Sequence, residues 1–218
     1  MPIDAVVFDM DGVLLHSEEV WNASKRAVID ESGGRWREDA TRSMMGMSSG
    51  EWSRYMHDEL AVPLPPATID QLVVERMRDT YRRALPLIPG ATEAVRRLEA
   101  RWPLAVASSS NRPIIDLALE LSGLAGCFRA TVSSEEVGRG KPAPDVYLEA
   151  ARRLGADPRR CAAIEDSTNG ILSAHAAGMK VIAIPNPTYP PEPHSLDAAD
   201  LVLDSIEQLD TEVVESLA

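Results

Sequence analysis

The chain has little cysteine, no long apolar run and no block of positive charge. Its two cysteines, Cys127 and Cys161, fall outside any CxxC spacing and sit beside small or apolar residues. They are expected to be reduced core thiols rather than a disulfide. The N-terminus carries acids at Asp4, Asp9 and Asp11 where a secretion signal or membrane span would be apolar, so a cytoplasmic chain with no membrane contact is expected. Acids outnumber bases to give a formal net charge of -12, and no stretch is rich in Lys or Arg. That argues against nucleic acid or an anionic membrane as partner. Internal repeats are also lacking. What remains is a composition of 44% hydrophobic and 26% charged residues over 218 positions, which suits a globular protein with one core and a smaller appended unit.

The most informative stretch is Ala5-Val-Val-Phe-Asp9-Met-Asp11-Gly12. A short apolar run bounded by a turn signal predicts a strand buried on both faces. It ends in two acids one residue apart. Two carboxylates at the end of a buried strand repel each other unless a cation sits between them. Gly12 permits a sharp turn there.

From about Leu14 the pattern is helical for some seventy residues. Val20, Ala23, Ala27 and Val28 share a helical face, and Ser48-x-x-Glu51 reads as a capping box ahead of Trp52, Tyr55 and Met56. Thr68-x-x-Gln71 reads as another, opening a helix with Ile69, Leu72, Val73 and Met77 inward. Leu85-Pro-Leu-Ile-Pro89-Gly90 is a stiff connector. Beyond it strands and helices alternate. Strands are predicted over 104–107, 130–133, 161–164, 180–184 and 201–203. Helices carrying Leu98, Ile114 and Leu121, Leu154, and Ala177 lie between, with Gly123, Gly155 and Gly178 as stops. Pro185 to Pro193 reads as a surface loop. The predicted class is α/β: a Rossmann-like parallel-sheet core, residues 1–14 and 88–218, with an inserted helical unit over 15–87.

Ligands of open parallel sheets lie beyond the carboxyl ends of the strands. Four such ends or loops here carry reactive groups: Asp9 with Asp11, Ser108, Lys141, and Glu165 with Asp166. Singly, each has an ordinary reading. Ser108 in a serine run suits a turn, Lys141 a solvated loop, and Glu165-Asp166-Ser167 the cap of the next helix. Together they suit a hard cation and a phosphate group. Mg²⁺ prefers oxygen ligands and keeps substrate phosphate and water in its shell. Asp9 and Asp166 would supply carboxylates and Asp11 a backbone carbonyl, while Ser108 and Lys141 would face phosphate oxygens.

Asp9-Met-Asp11-Gly12-Val, Ser108, Lys141-Pro-Ala-Pro-Asp145 and Glu165-Asp166-Ser167-x-x-Gly170 together resemble the haloacid dehalogenase superfamily, in the branch with a helical cap after the first motif. β-Phosphoglucomutase and many sugar-phosphate and phosphoglycolate phosphatases belong to that branch. The resemblance implies a Mg²⁺-dependent phosphatase acting on a small phosphate ester, with a sugar phosphomutase as the alternative. It implies Asp9 as nucleophile, Asp11 as general acid and base, and Ser108 and Lys141 as holders of the transferring group. Asp9, Asp11 and Asp166 would bind metal, with Glu165 doing so directly or through water. Ser109 and Asn111, with Trp21 and Gly46 of the cap, are the candidate substrate-binding residues, and Trp52 is expected to pack in the cap core. Mutases of this branch carry a histidine where this chain has Trp21 and a cap arginine where it has Ser49, which weighs against a mutase. His16-Ser-Glu-x-x-Trp21 is similar instead to the hexose-phosphate phosphatase pattern, with His16 in place of an acid; a hinge role is expected for it. Hinges are expected at 14–17 and 85–89, and a monomer is expected because no exposed apolar stripe stands out.

Overall fold

The computed structural model describes residues 1–45 and 47–218. Gly46, one of the expected substrate contacts, lies outside the described residues. The chain begins with β1 (Ala5–Phe8), followed by α1 (Glu18–Glu31), α2 (Ala40–Met44), α3 (Ser49–Asp58), α4 (Pro66–Arg83) and α5 (Ala91–Glu99). Then come β2 (Leu104–Ser108), α6 (Arg112–Ser122), β3 (Phe128–Ser133), α7 (Asp145–Leu154), β4 (Cys161–Glu165) and α8 (Thr168–Ala176). β5 (Lys180–Ala183), α9 (Pro193–Leu196), β6 (Leu201–Val202) and α10 (Thr211–Glu215) complete it.

All strand pairs are parallel, in the order β3-β2-β1-β4-β5-β6. The predicted α/β class is therefore correct, and β1 lies inside the sheet as its unbroken apolar run required. Its four residues are fully buried. Alternation sends them to opposite faces. Val6 and Phe8 join the core that holds Val95 of α5 and Ile114 of α6, whereas Ala5 and Val7 join the one that holds Tyr147 of α7 and Ile171 of α8. Burial of each such Val or Phe contributes about 1.5–3 kcal/mol. Gly123 and Gly155 end α6 and α7 in left-handed conformations, as their placement suggested.

α1 and α3 pack on α4, and α4 also packs on α6. The Ser48–Glu51 capping box forms at the start of α3. Thr68 does not open a helix: α4 begins at Pro66, whose ring suits the first turn, so Thr68 already lies within that turn. Chain entry and exit of this helical block are tied together. His16 N–H donates to the Pro86 carbonyl at 2.8 Å, Ile88 N–H donates to that of Leu14 at 2.9 Å, and Leu15 bridges Leu87 in antiparallel fashion. Three short helices, α2, α9 and α10, were not anticipated.

Candidate active site

β1 and β4 are neighbours, and the chain leaves them in different directions, so a crevice opens between their carboxyl ends. Asp9 and Asp166 stand on either side of it. Gly12, at φ +85°, brings its backbone directly against the Asp166 carboxylate; a Cβ there would overlap Asp166. Glycine at this position thus serves both the turn and the close approach. Both residues are buried, at 5% and 6% exposure.

Beneath them lies Lys141, delivered by the loop before α7. Its Nζ donates to Asp9 Oδ1 and to Glu165 Oε1, each at 2.6 Å. Glu165 is wholly buried and accepts five hydrogen bonds: from Lys141, from Tyr147 OH at 2.7 Å, from its neighbours' N–H groups at Asp166 and Ser167, and from Ser167 Oγ. Gly170 on α8 makes room for it, since a Cβ at 170 would overlap the carboxylate. Ser167 also caps α8 by accepting from Gly170 N–H.

Oxygens of Asp9, Glu165 and Asp166 lie within 4.8 Å of one another. Burial raises the pKa of Asp9 to about 8; Glu165 and Asp11 push the same way and Lys141 opposes them. Burial likewise raises Asp166, helped by Glu165 and Asp9. Burial works to lower Lys141, but the Asp9 and Glu165 carboxylates outweigh it and the net shift is upward. One lysine thus leaves the carboxylates under-compensated. The all-oxygen donor set and this charge deficit fit a hard divalent cation.

Asp11 projects from the turn after β1 and collects four donors. Ser17 Oγ and Trp21 Nε1 reach its Oδ1 at 2.5 and 3.1 Å, while Ser110 Oγ and Ser108 Oγ reach its Oδ2 at 2.6 and 3.3 Å. Hydroxyls can reverse their hydrogen bonds and the indole N–H cannot. The carboxyl group is therefore held in place whether or not it carries a proton.

A cavity of about 660 Å³ opens above these groups. Asp9, Asp11, Lys141, Asp166, Ser109 and Trp21 line it, so the structure brings these expected residues together; Trp52, expected to pack in the core of the helical block, is buried and lines the cavity as well. Ser109 Oγ is buried without a hydrogen-bond partner among the described residues. Ser108 and Glu165 lie below the lining; Ser108 turns its hydroxyl to Asp11 and accepts from Ser110 N–H. Asn111 is not brought to the cavity. Its amide donates to Asp70 of α4 at 3.0 Å and to Glu135 at 2.9 Å, a link between the helical block and the sheet. His16 is exposed and stays out of the cavity. Sequence reasoning missed Ser17, Ser110 and Tyr147. It also missed that the proline loop after β5 lines the cavity, through Asn186, Thr188 and Tyr189. The position of that loop at a strand's carboxyl end was the available signal.

A family model described as haloacid dehalogenase-like hydrolase matches residues 3–178. The bifunctional riboflavin kinase/FMN phosphatase of Arabidopsis thaliana is 32% identical over 205 residues, covering 92% of this chain and 53% of that protein; the chain spans about half the length of that relative. Hexitol phosphatase B of Escherichia coli (strain K12) is 32% identical over 211 residues, 94% of this chain and 93% of that protein. Among solved structures, CbbY from Rhodobacter sphaeroides in complex with phosphate superposes with a TM-score of 0.87 at 27% identity, over 98% of this chain and 99% of that one.

Proposed function

The chain belongs to the haloacid dehalogenase-like hydrolases, and from that premise we propose that it is a Mg²⁺-dependent phosphatase of a small phosphorylated metabolite, a sugar or sugar-alcohol phosphate, working through an aspartyl phosphate on Asp9. The observation that carries the reading is the meeting of Asp9, Asp11, Lys141 and Asp166 at one cavity. Hexitol phosphatase B, a relative matched almost end to end, supports the substrate class.

An oxygen of Asp9 attacks phosphorus, and the bond from phosphorus to the ester oxygen breaks. Asp11 gives its proton to the departing oxygen, so the product leaves as a neutral alcohol. In the second half Asp11 takes a proton from water, whose oxygen attacks phosphorus. Inorganic phosphate leaves and the Asp9 carboxylate is regenerated. Lys141 holds Asp9 in line and offsets charge on the transferring group, and the Ser109 hydroxyl offers it a donor. Glu165 fixes Lys141: its oxygens are taken up by five donors, which favours an anchoring role over direct ligation. Asp9, Asp166 and the Asp11 carbonyl would hold Mg²⁺, which would supply charge compensation to the phosphoryl oxygens. Residues 15–87 act as a cap that excludes water and selects the substrate, hinged where residues 14–16 pair with 86–88. The position where mutases carry a proton-transferring histidine is occupied by Trp21, which favours hydrolysis over phosphoryl exchange.

Phosphate release from a panel of sugar phosphates, sugar-alcohol phosphates, phosphoglycolate and nucleotides tests this. Turnover is expected with Mg²⁺, is lost in EDTA, and falls by at least about 10³-fold in Asp9→Asn. Turnover that survives Asp9→Asn in a folded protein, or that ignores EDTA, overturns the proposal.

A further inference from the structure

The sequence holds three lysines, and two of them line this one cavity. Lys141 is paired with Asp9 and Glu165. Lys25 is not. It is only 6% exposed, lies 5.4 Å from the Trp21 ring and 5.2 Å from that of Trp52, and forms no hydrogen bond or ion pair among the described residues. Two aromatic faces attract an ammonium group but supply no acceptor, and they replace only part of the hydration lost on burial. Lys25 lines the cavity, so its ammonium group can meet an oxygen atom there.

Glu18 completes the arrangement. Positions 18, 21 and 25 lie on one face of α1, and Glu18 also lines the cavity. Burial raises its pKa, and Asp11 adds to that while Lys25 opposes it; burial lowers Lys25, and Glu18 opposes that. Each therefore feels the other, yet they do not close to an ion pair among the described residues. Asp11 also favours the charged form of Lys25, but its oxygens already accept four donors and none of them is Lys25. Among the described residues, α1 thus presents to the cavity one unengaged donor and one unengaged acceptor. A hydroxyl group both accepts and donates, so adjacent hydroxyls suit this pair.

A second anionic group would suit it poorly. Six carboxylate side chains line the cavity against three cations, Lys25, Arg42 and Lys141. Even with a divalent cation bound, the wall stays acidic, and the transferring phosphate brings further negative charge.

We propose that Lys25 and Glu18 form a donor–acceptor clamp that selects phosphate esters whose far end is polyhydroxylated and uncharged. The assignment rests on the phosphatase reading above and narrows its substrate class. The Trp21 and Trp52 faces hold the ammonium in position, and the substrate's hydroxyls complete its hydrogen bonding.

The test compares kcat/KM of wild type, K25M and E18Q on glucitol 6-phosphate, hexyl phosphate and fructose 1,6-bisphosphate. Wild type is expected to favour glucitol 6-phosphate over hexyl phosphate by at least about tenfold, chiefly through KM, and each substitution to reduce that ratio by about tenfold. Thermal melts confirm folding; should K25M fail to fold, the wild-type ratio and E18Q decide. A ratio near unity in wild type, or one unchanged by both substitutions, overturns the clamp while leaving the phosphatase reading intact. So does a preference for the bisphosphate that K25M abolishes, which would assign Lys25 to a second phosphate. No phosphate release from any of the three, with release from phosphoglycolate or a nucleotide, overturns the clamp alone; no release from any ester of the wider panel overturns the phosphatase reading and the clamp together.

Discussion

Gly170→Ala should destabilise the protein although helix propensity says the opposite. Gly170 is the third residue of α8, where an alanine normally adds up to about 1 kcal/mol of stability. The added Cβ would overlap the Glu165 carboxylate, which has no room to retreat: it is 0% exposed and enclosed by Lys141, Tyr147 and the Asp166–Ser167 turn. Either Glu165 leaves its five donors or α8 moves off β4. Separating a buried ion pair from one partner costs about 3–5 kcal/mol. Set against the propensity gain, the net loss is about 2–4 kcal/mol, which for a chain of this size lowers Tm by roughly 5–15 °C.

Gly50→Ala is the matched control. Gly50 is also near the start of a helix, and a Cβ there would meet nothing within 4 Å. It should be neutral or stabilising by up to about 1 kcal/mol. Urea unfolding of both variants in EDTA, compared through the midpoint at constant slope, decides the matter. If Gly170→Ala matches or exceeds wild type in stability, the packing of Glu165 against α8, and with it the anchoring of Lys141, is wrong.

Lys141→Met leaves Asp9 and Glu165 facing each other without their cation, so a loss of about 3–5 kcal/mol is expected in EDTA; partial recovery on adding Mg²⁺ in a thermal melt would show that the cation shares the same carboxylates. Gly12→Ala and Gly33→Ala impose similar left-handed strain, at φ +85° and +79°, of about 1–2 kcal/mol each. Only the first also displaces Asp166, so only the first should abolish phosphatase turnover, and equal activity in the two variants would refute the close approach. Asp9 has its folded-state pKa raised from 3.8 to about 8, so between those values the folded protein holds a proton that the unfolded chain lacks. Its contribution to stability is complete below pH 3.8 and is lost as pH rises through about 8. Wild type in EDTA should therefore lose Tm relative to Asp9→Asn between pH 5 and 8, and a flat or rising difference would contradict the assignment.

Much of this was legible in the sequence for identifiable reasons. β1 could be read because a strand covered on both faces must be apolar at every position, and its last residue is followed at once by acids that no core would hold for packing alone. Lys141, Glu165 and Asp166 each had an ordinary reading alone and were legible only together with Asp9 and Asp11, as groups that the topology gathers beyond the carboxyl ends of the strands. Ser17 and Ser110 were not, since a serine's sequence neighbours do not reveal which carboxylate it will meet. Tyr147 sat at core spacing on α7 and read as packing; only the fold shows that its hydroxyl ends on Glu165. Thr68-x-x-Gln71 matched a capping pattern, yet the proline two residues earlier set the helix start. Asn111 lay beside Ser108 in sequence, but the chain turns into α6 there and carries its amide toward Asp70 and Glu135. Five prolines made 185–193 look like plain surface, because composition records exposure and not what the exposed side faces.

The donors on Asp11 come from two sources, and this ties substrate enclosure to chemistry. Ser108 and Ser110 belong to the loop after β2 and stay with the sheet. Ser17 and Trp21 belong to the start of the helical block, beyond the paired connectors at 14–16 and 86–88. An outward swing of α1 about those connectors would carry the indole N–H away from Oδ1 and leave the carboxyl group held on one side only. The same swing would separate Ser49 from Glu135 and Asp70 from Asn111, the polar links between α3, α4 and the sheet. Lys25 and Glu18 ride on α1 as well, Glu18 directly after Ser17 and Lys25 about two turns further on. Under the proposed mechanism, contact with the far end of a substrate would act on the same helix that positions Asp11. Binding energy at that end would then be expressed as correct placement of Asp11, raising turnover and not only affinity.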